Sequence, residues 1–181
     1  MLRDLGGTID FEPSDSPLEL ASRASLSVVG TITEVIDGRV FGVGPGRDNE
    51  PAFFNIGMII AIDLVIGGDK TLANDETVYV EIARPKSLAI DDVRQAMPSG
   101  QRVILFLDDY SDGPEPFQMI AESSAGKHAH TFAPYADGFL LEDTKSGAVI
   151  GALSSLEELP PVWRQETSSI NAFVAKHFTT K

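Results

Sequence analysis

Residues 54–66 read FNIGMIIAIDLVI, and this stretch decides the predicted fold. Seven apolar residues recur at every second position from Phe54 to Ile66, which is the period of a β-strand with one buried face. At about 3.3 Å per residue the stretch extends about 40 Å. A strand of this length with an interior glycine, Gly57, is expected to curl and to serve two sides of a barrel.

Shorter elements flank this strand. Further strands are predicted at about 26–36, 78–82, 103–107 and 117–121, with a helix at about 88–97. The sequence Ser16-Pro17-Leu18-Glu19 has the residues of a helix start, a capping serine followed by proline and glutamate.

The C-terminal segment predicts an amphipathic helix. Its apolar stripe follows helical spacing and consists of Ile170, Phe173, Val174, His177 and Phe178. Before it, 139–142 and 148–152 form a plausible hairpin. The stripe is too apolar to stand free in water. We expect the helix to pack on its own chain, because it closely follows the predicted hairpin; the alternative is that it offers the stripe to a partner, including another copy of this chain.

This order of elements predicts a mainly β protein. We expect an OB-like five-stranded β-barrel with a helix between strands 3 and 4, a short N-terminal helix and the C-terminal amphipathic helix. The predicted organisation is a flexible lead-in at 1–15, the barrel at 16–122, and an extension at 123–181 that holds the hairpin and the last helix and packs on the barrel.

The charge of the chain narrows the classes of partner. The 181 residues carry 14 Lys and Arg against 27 Asp and Glu, a formal net charge of −13. Nucleic-acid binding and docking on an anionic membrane both need clustered basic residues, so both are disfavoured. The chain has no cysteine, which excludes disulfides, thiolate nucleophiles and Cys-ligated metals.

Three short segments resemble a known group of domains. They are LASRASLSVVGTI at 20–32, IAIDLVIGG at 60–68 and GQRVILFL at 100–107. Over about residues 18–122 they resemble bacterial OB-fold domains of the netrin and tissue-inhibitor-of-metalloproteinase type. The resemblance implies a binding or accessory domain rather than an enzyme. The cysteine that family inhibitors place on a protease zinc is absent, so that route of inhibition does not carry over.

Two sets of residues are candidate sites. His128 and His130 are predicted on one strand face, where they would hold Zn²⁺ or Cu²⁺ with a third ligand from His177, Glu122 or Asp137; the alternative is an exposed polar stretch. Phe41, Phe53, Tyr79 and Tyr110 are candidates for an OB-type binding face, with ordinary packing as the alternative.

No catalytic motif is complete. The glycines at 42–46 miss the dinucleotide-binding spacing, and there is no G-x-S-x-G. We therefore expect a non-catalytic binding or interaction domain that needs no cofactor, with a protein or an envelope component as its partner. The alternative is a metal-dependent enzyme that uses His128 and His130.

The compartment depends on the chain start. The first residues lack the apolar core of a signal peptide, and no apolar run is long enough for a membrane span. We expect the cytoplasm, or an extracytoplasmic location if a signal or anchor has been removed.

Overall fold

The computed structural model describes residues 12–42, 51–73, 76–114 and 117–178. Residues 1–11 of the predicted lead-in and most of the glycine-rich loop, 43–50, lie outside these ranges. The helices are α1 (Pro17–Arg23), α2 (Ile90–Ala96) and α3 (Ile170–Phe178), and the strands are β1 (Leu26–Gly42), β2 (Pro51–Gly68), β3 (Thr77–Arg84), β4 (Arg102–Asp109), β5 (Gln118–Ala121), β6 (Phe132–Glu142) and β7 (Val149–Gly151).

In the described residues, seven strands form one sheet whose ends meet. β1 lies antiparallel to both β2 and β4, and β2 lies antiparallel to β3. β6 pairs with β4 antiparallel and with β3 in parallel, through Val80 and Phe132. Strands β1, β2, β3, β6 and β4 therefore form a closed ring of pairings. The predicted mainly β class is confirmed.

The strand that completes the ring differs from the predicted one. Residues 117–121 were the predicted fifth strand, but β5 pairs with only the last residues of β1 and lies outside the ring. β6 takes the fifth place, and it lies in the segment that the sequence predicted as an extension. The apolar pattern of β6 is interrupted by Pro134 and Asp137, which is why alternation revealed only its last residues.

One apolar cluster fills the ring. It gathers inward residues from all five ring strands, and Val93 and Met97, in and just after α2, pack against it. Ile56, Met58 and Ile60 are all buried there. The predicted alternation fails further along β2, where Leu64 is 49% exposed. Asp63 and Ile66 are extra residues in the pairing of β2 with β1. An extra residue moves the side chains that follow it to the opposite face of the strand. Val65 therefore packs on the inner cluster in place of Leu64.

A second apolar cluster lies on the outside of β1, β4 and β6. Its strand residues include Ile104 and Phe106, which alternate with the inward residues of β4. α1, the turn at Pro161–Arg164 and α3 cover them through Leu20, Trp163 and Phe173. The predicted amphipathic helix at the C-terminus is confirmed, and its apolar stripe packs on its own chain. Within the described ranges, no helix has the length and apolarity to cross a membrane.

Matched substitutions on β2 test this placement. Ile60→Asp puts an unpaired carboxylate among the inward residues of the ring, and we expect the free energy of unfolding to fall by several kcal/mol, about 3 or more. Leu64→Asp lies on the same strand but is half-exposed, and should cost less than about 1 kcal/mol. Urea unfolding of both variants is the measurement; equal losses would contradict the assigned faces.

Candidate functional site

A buried carboxylate lies on the outside of the ring. On β3 the inward residues are Val78 and Val80, so Tyr79 and Glu81 point to the opposite face. That face is not open to solvent, because Tyr79 is 4% and Glu81 is 1% exposed. The covering chain is the connection from β4 to β6, residues 110–114 and 117–131, which we call the cover segment.

Glu81 accepts four hydrogen bonds. Its Oε1 accepts the backbone N–H of Arg39 at 2.7 Å and the Tyr79 hydroxyl at 2.8 Å. Its Oε2 accepts the Arg39 Nε–H and the Asn55 Nδ2–H, both at 2.9 Å. These donors come from β1, β2 and β3. A buried carboxylate is tolerated only with such full pairing, so the Glu81 cluster (Arg39, Asn55, Tyr79 and Glu81) joins three strands at one point.

Arg39 carries this connection into the cover segment. Its Nη1 donates to the Ser111 carbonyl and its Nη2 to the Tyr110 carbonyl, each at 2.7 Å. The guanidinium also lies over the rings of Phe41 and Tyr110, at 5.1 and 5.5 Å from their centroids. The buried Arg39 thus holds the start of the cover segment on the sheet through hydrogen bonds from its guanidinium nitrogens and cation–π contacts of the guanidinium plane.

Gly57 on β2 makes room for the tyrosine. A Cβ added there would lie 2.4 Å from the Tyr79 hydroxyl oxygen, much closer than two non-bonded atoms can approach. Any side chain at this position would displace the hydroxyl from Glu81. The glycine that the sequence suggested as a point of curvature therefore also leaves space for a bond of the cluster.

His128 closes the cover segment over Tyr79. The two rings are stacked, with centroids 3.7 Å apart and planes within 10°. Burial lowers the pKa of His128, an effect that Arg39 reinforces and that Glu81 and Glu122 oppose. Its Nε2 is buried without a hydrogen-bond partner among the described residues. The expectation that His128 and His130 lie on a strand is wrong, because β6 begins only at Phe132.

Two clefts flank this stack. Tyr79, His128 and Ala129 line both of them. The Phe132 cleft, of about 130 Å³, is completed mainly by apolar side chains, among them Ile59, Leu72, Val78 and Phe132, and by His130. The Lys127 cleft, of about 150 Å³, is completed by polar and charged ones, among them Arg39, Ser111, Glu122, Lys127 and Thr131.

Three of the four predicted binding-face aromatics gather here. Phe41 and Tyr110 lie 6.5 Å apart around Arg39, and Tyr79 belongs to the Glu81 cluster. Phe53 is the cross-strand partner of Phe41 in the β1–β2 pairing, and its ring contacts Phe117, with ring centroids 5.3 Å apart. Phe41 and Tyr79 are buried, so their rings pack inside the protein, and Tyr79 also lines the two clefts beside His128.

The two histidines proposed as metal ligands line the same cleft, but their suggested third ligands are differently placed. His177 lies on α3, where its Nε2 is 3.2 Å from the Gln165 carbonyl. Asp137 accepts the Ser14 N–H at 2.8 Å, and Glu122 lines the Lys127 cleft. Across the residues that the structure describes, no group of three His, Cys, Asp or Glu is arranged to hold a metal.

Sequence reasoning missed Arg39, Asn55 and Glu81. The predicted first strand ended at Asp37-Gly38, whereas β1 continues to Gly42 through a bulge between Asp37 and Val40. The available signal was Glu81 itself, the one carboxylate of β3, between the apolar residues Val80 and Ile82. Alternation placed it on the face opposite the core, and only the cover segment makes that face buried.

The Glu81 cluster is built for structure rather than for proton transfer. Both oxygens of Glu81 are saturated by donors, so the carboxylate has no free position for a substrate proton. Burial, with Glu81 adding to it, raises the pKa of the Tyr79 hydroxyl, which therefore stays protonated and donates. The two clefts beside His128 are open to a ligand.

Glu81→Gln tests the anchoring role. In the variant, an NH₂ group replaces one carboxylate oxygen and lies against the groups that donated hydrogen bonds to that oxygen. The negative charge is also lost, so the buried Arg39 has no counter-charge. We expect a loss of about 3–5 kcal/mol in the free energy of unfolding. Glu34→Gln, at an exposed position on β1, should change it by less than about 0.5 kcal/mol. A neutral Glu81→Gln in urea unfolding would contradict the anchoring role.

The pKa of His128 predicts how stability changes with pH. A histidine whose pKa is lowered by folding binds its proton more tightly when unfolded, so stability falls as the pH drops below about 6.5 and levels off below the folded pKa. Burial also lowers the pKa of His177, so His177 adds to the loss of stability at low pH. Unfolding measured from about pH 8 to pH 5 should show this decline, and His128→Phe should reduce it. An unchanged slope in His128→Phe would show that His128 is not desolvated in the folded protein.

Comparison with known proteins identifies no relative of this chain. No family model, no curated protein and no solved structure matches the chain. The likeness to netrin-type domains therefore stays a hypothesis drawn from the sequence. The candidate site accordingly rests on its own geometry: a buried anchor, a segment held across a sheet face, and two clefts beside a stacked Tyr–His pair.

Proposed function

We propose that this chain is a non-catalytic binding domain built on an OB-like barrel, with its binding surface on the outer face of β1, β2 and β3. The observation that supports this proposal is the pair of clefts on that face, which are both lined by Tyr79, His128 and Ala129. The closed ring, its parallel β3–β6 pairing and the position of α2 between β3 and β4 support the barrel.

The position of the clefts supports a binding role. OB-folds bind ligands on the face of strands 2 and 3, bordered by the loop that joins strands 4 and 5. In this chain β6 is the fifth ring strand, so the cover segment is the corresponding loop. It is tied at both ends, since the Tyr110 N–H donates to the Thr131 carbonyl at 2.7 Å. The net charge of −13 favours a neutral or cationic partner.

Ala129 offers a direct test, because it is exposed and lines both clefts. Ala129→Trp should fill their mouths without touching the core. In a fragment screen by NMR, we expect hits on the native chain to shift the amides around Tyr79, His128 and Thr131, and Ala129→Trp to abolish those shifts. Ala125→Trp, exposed in the same segment but lining neither cleft, is the matched control. Hits that map to α1 and α3 instead would refute the proposed surface.

A second candidate is the metal-dependent enzyme, which one observation favours: His128 and His130 line a single cleft. Elemental analysis of the same purified protein separates the two functions. A binding domain should carry only substoichiometric metal. Near-stoichiometric zinc or copper, lost together with thermal stability in the His128→Ala/His130→Ala variant, would establish the metal site and overturn the first proposal.

A further inference from the structure

The short strand β5, within the cover segment, has one unpaired edge. Among the described residues it pairs only with the end of β1, and none of their backbone hydrogen bonds reaches its other side. β7 also has a single neighbouring strand, but there the Val149 N–H donates to the Thr167 carbonyl. An unpaired strand edge offers a row of N–H and C=O groups for pairing with another chain.

The residues of β5 suit this edge for docking. All four, Gln118 to Ala121, are exposed, and Met119 and Ile120 are large apolar residues with 45% and 38% of their surface exposed. None of the four is charged and none is proline, although charges and prolines are common means of keeping an edge strand from pairing. Ile120 is an extra residue in the pairing with β1, so the strand bends there and the open stretch is short.

Carboxylates flank this uncharged edge in the chain. From position 108 to position 127 there are five Asp and Glu residues against a single cation, Lys127. Asp112 before β5 and Glu122 directly after it are exposed, whereas the charge of the buried Arg39 is paired with Glu81. A second copy of this chain, with its net charge of −13, would bring the same carboxylates together. Charge complementarity therefore favours a cationic occupant over a second copy.

We propose that β5 docks an extended segment of a partner protein that is rich in lysine or arginine. The segment adds a strand to the sheet by pairing its backbone with Gln118–Ala121, and its cations lie near the carboxylates on either side of β5. Met119 also lines the Lys127 cleft, so this edge adjoins the surface proposed above for binding. The inference rests on that binding function and names the class of its partner.

The first test titrates three capped octapeptides into the full chain labelled with ¹⁵N. The lysine peptide has two lysines at each end and a Val-Thr-Val-Thr centre; it should bind with a dissociation constant of about 0.1 mM and shift the amides of Gln118–Ala121. The glutamate peptide, with glutamates in place of the lysines, should bind about tenfold more weakly or less. The lysine peptide methylated on its four central backbone nitrogens keeps its charge but loses its strand donors, and should also bind about tenfold more weakly.

Two matched variants locate the docking edge. Ile120→Lys places a cation on β5 and removes an apolar contact, so the lysine peptide should bind about fivefold more weakly or less. Leu18→Lys makes the same change of charge at an exposed apolar residue of α1 and should weaken binding by less than about twofold. The backbone amide spectrum of each variant confirms that it is folded. Equal losses in the two variants would overturn the assignment to β5.

Three further results would contradict the proposal. Unchanged binding of the methylated peptide would show attraction by charge without strand pairing, and no binding of the lysine peptide at about 1 mM would overturn the partner class. A dimer in sedimentation that Ile120→Lys dissociates would identify a second copy as the occupant. The proposed binding surface would survive each result if fragments still shift Tyr79 and Thr131 in the native chain and not in Ala129→Trp, so the two failures are distinguishable.

Discussion

The buried pairing of Glu81 with Arg39 is the interaction on which the cleft-bearing face of β1, β2 and β3 depends. A carboxylate at this depth is stable only if its lone pairs are taken up, and donors from β1, β2 and β3 occupy both oxygens. The guanidinium then donates onward to two carbonyls of the cover segment. The pair fixes the start of the cover segment, while the pairing of β5 with β1 and the stacking of His128 on Tyr79 hold its later residues across the sheet.

The ring is covered on its outside in two physically different ways. Over β1, β4 and β6 the cover is apolar, with Trp163, Ile170 and Phe173 against Ile104 and Phe106. Such packing is non-directional, and it excludes water without leaving gaps. Over the β1–β3 face the cover is held by hydrogen bonds and stacked rings. Hydrogen bonds and ring stacking hold the cover segment at a few residues only. The space left between these residues accounts for the clefts on this face.

The division of labour within the site has the same physical origin. The Glu81 cluster has its carboxylate oxygens and guanidinium nitrogens bonded to protein groups, so these atoms position the chain. The His128 imidazole, further along the cover segment, is stacked on Tyr79 and keeps a buried nitrogen that no described residue bonds. The binding role proposed for this face therefore depends on the clefts beside His128 rather than on the bonded atoms of the cluster.

The sequence by itself determined the class of the protein and most of its elements. The capping serine of α1, the helical stripe of α3 and the alternation in the first half of β2 are local patterns that the sequence alone reveals. Beyond Asp63 the shifted pairing with β1 decides which side chains of β2 face inward. The ring closure, the burial of Glu81 and the meeting of Tyr79 with His128 were decided only by the tertiary structure. Each joins residues that are far apart in the chain, and β6, which closes the ring, has an irregular pattern. Glu81 is read from the sequence as an outward charge, and it becomes a buried anchor only because the cover segment returns across β3.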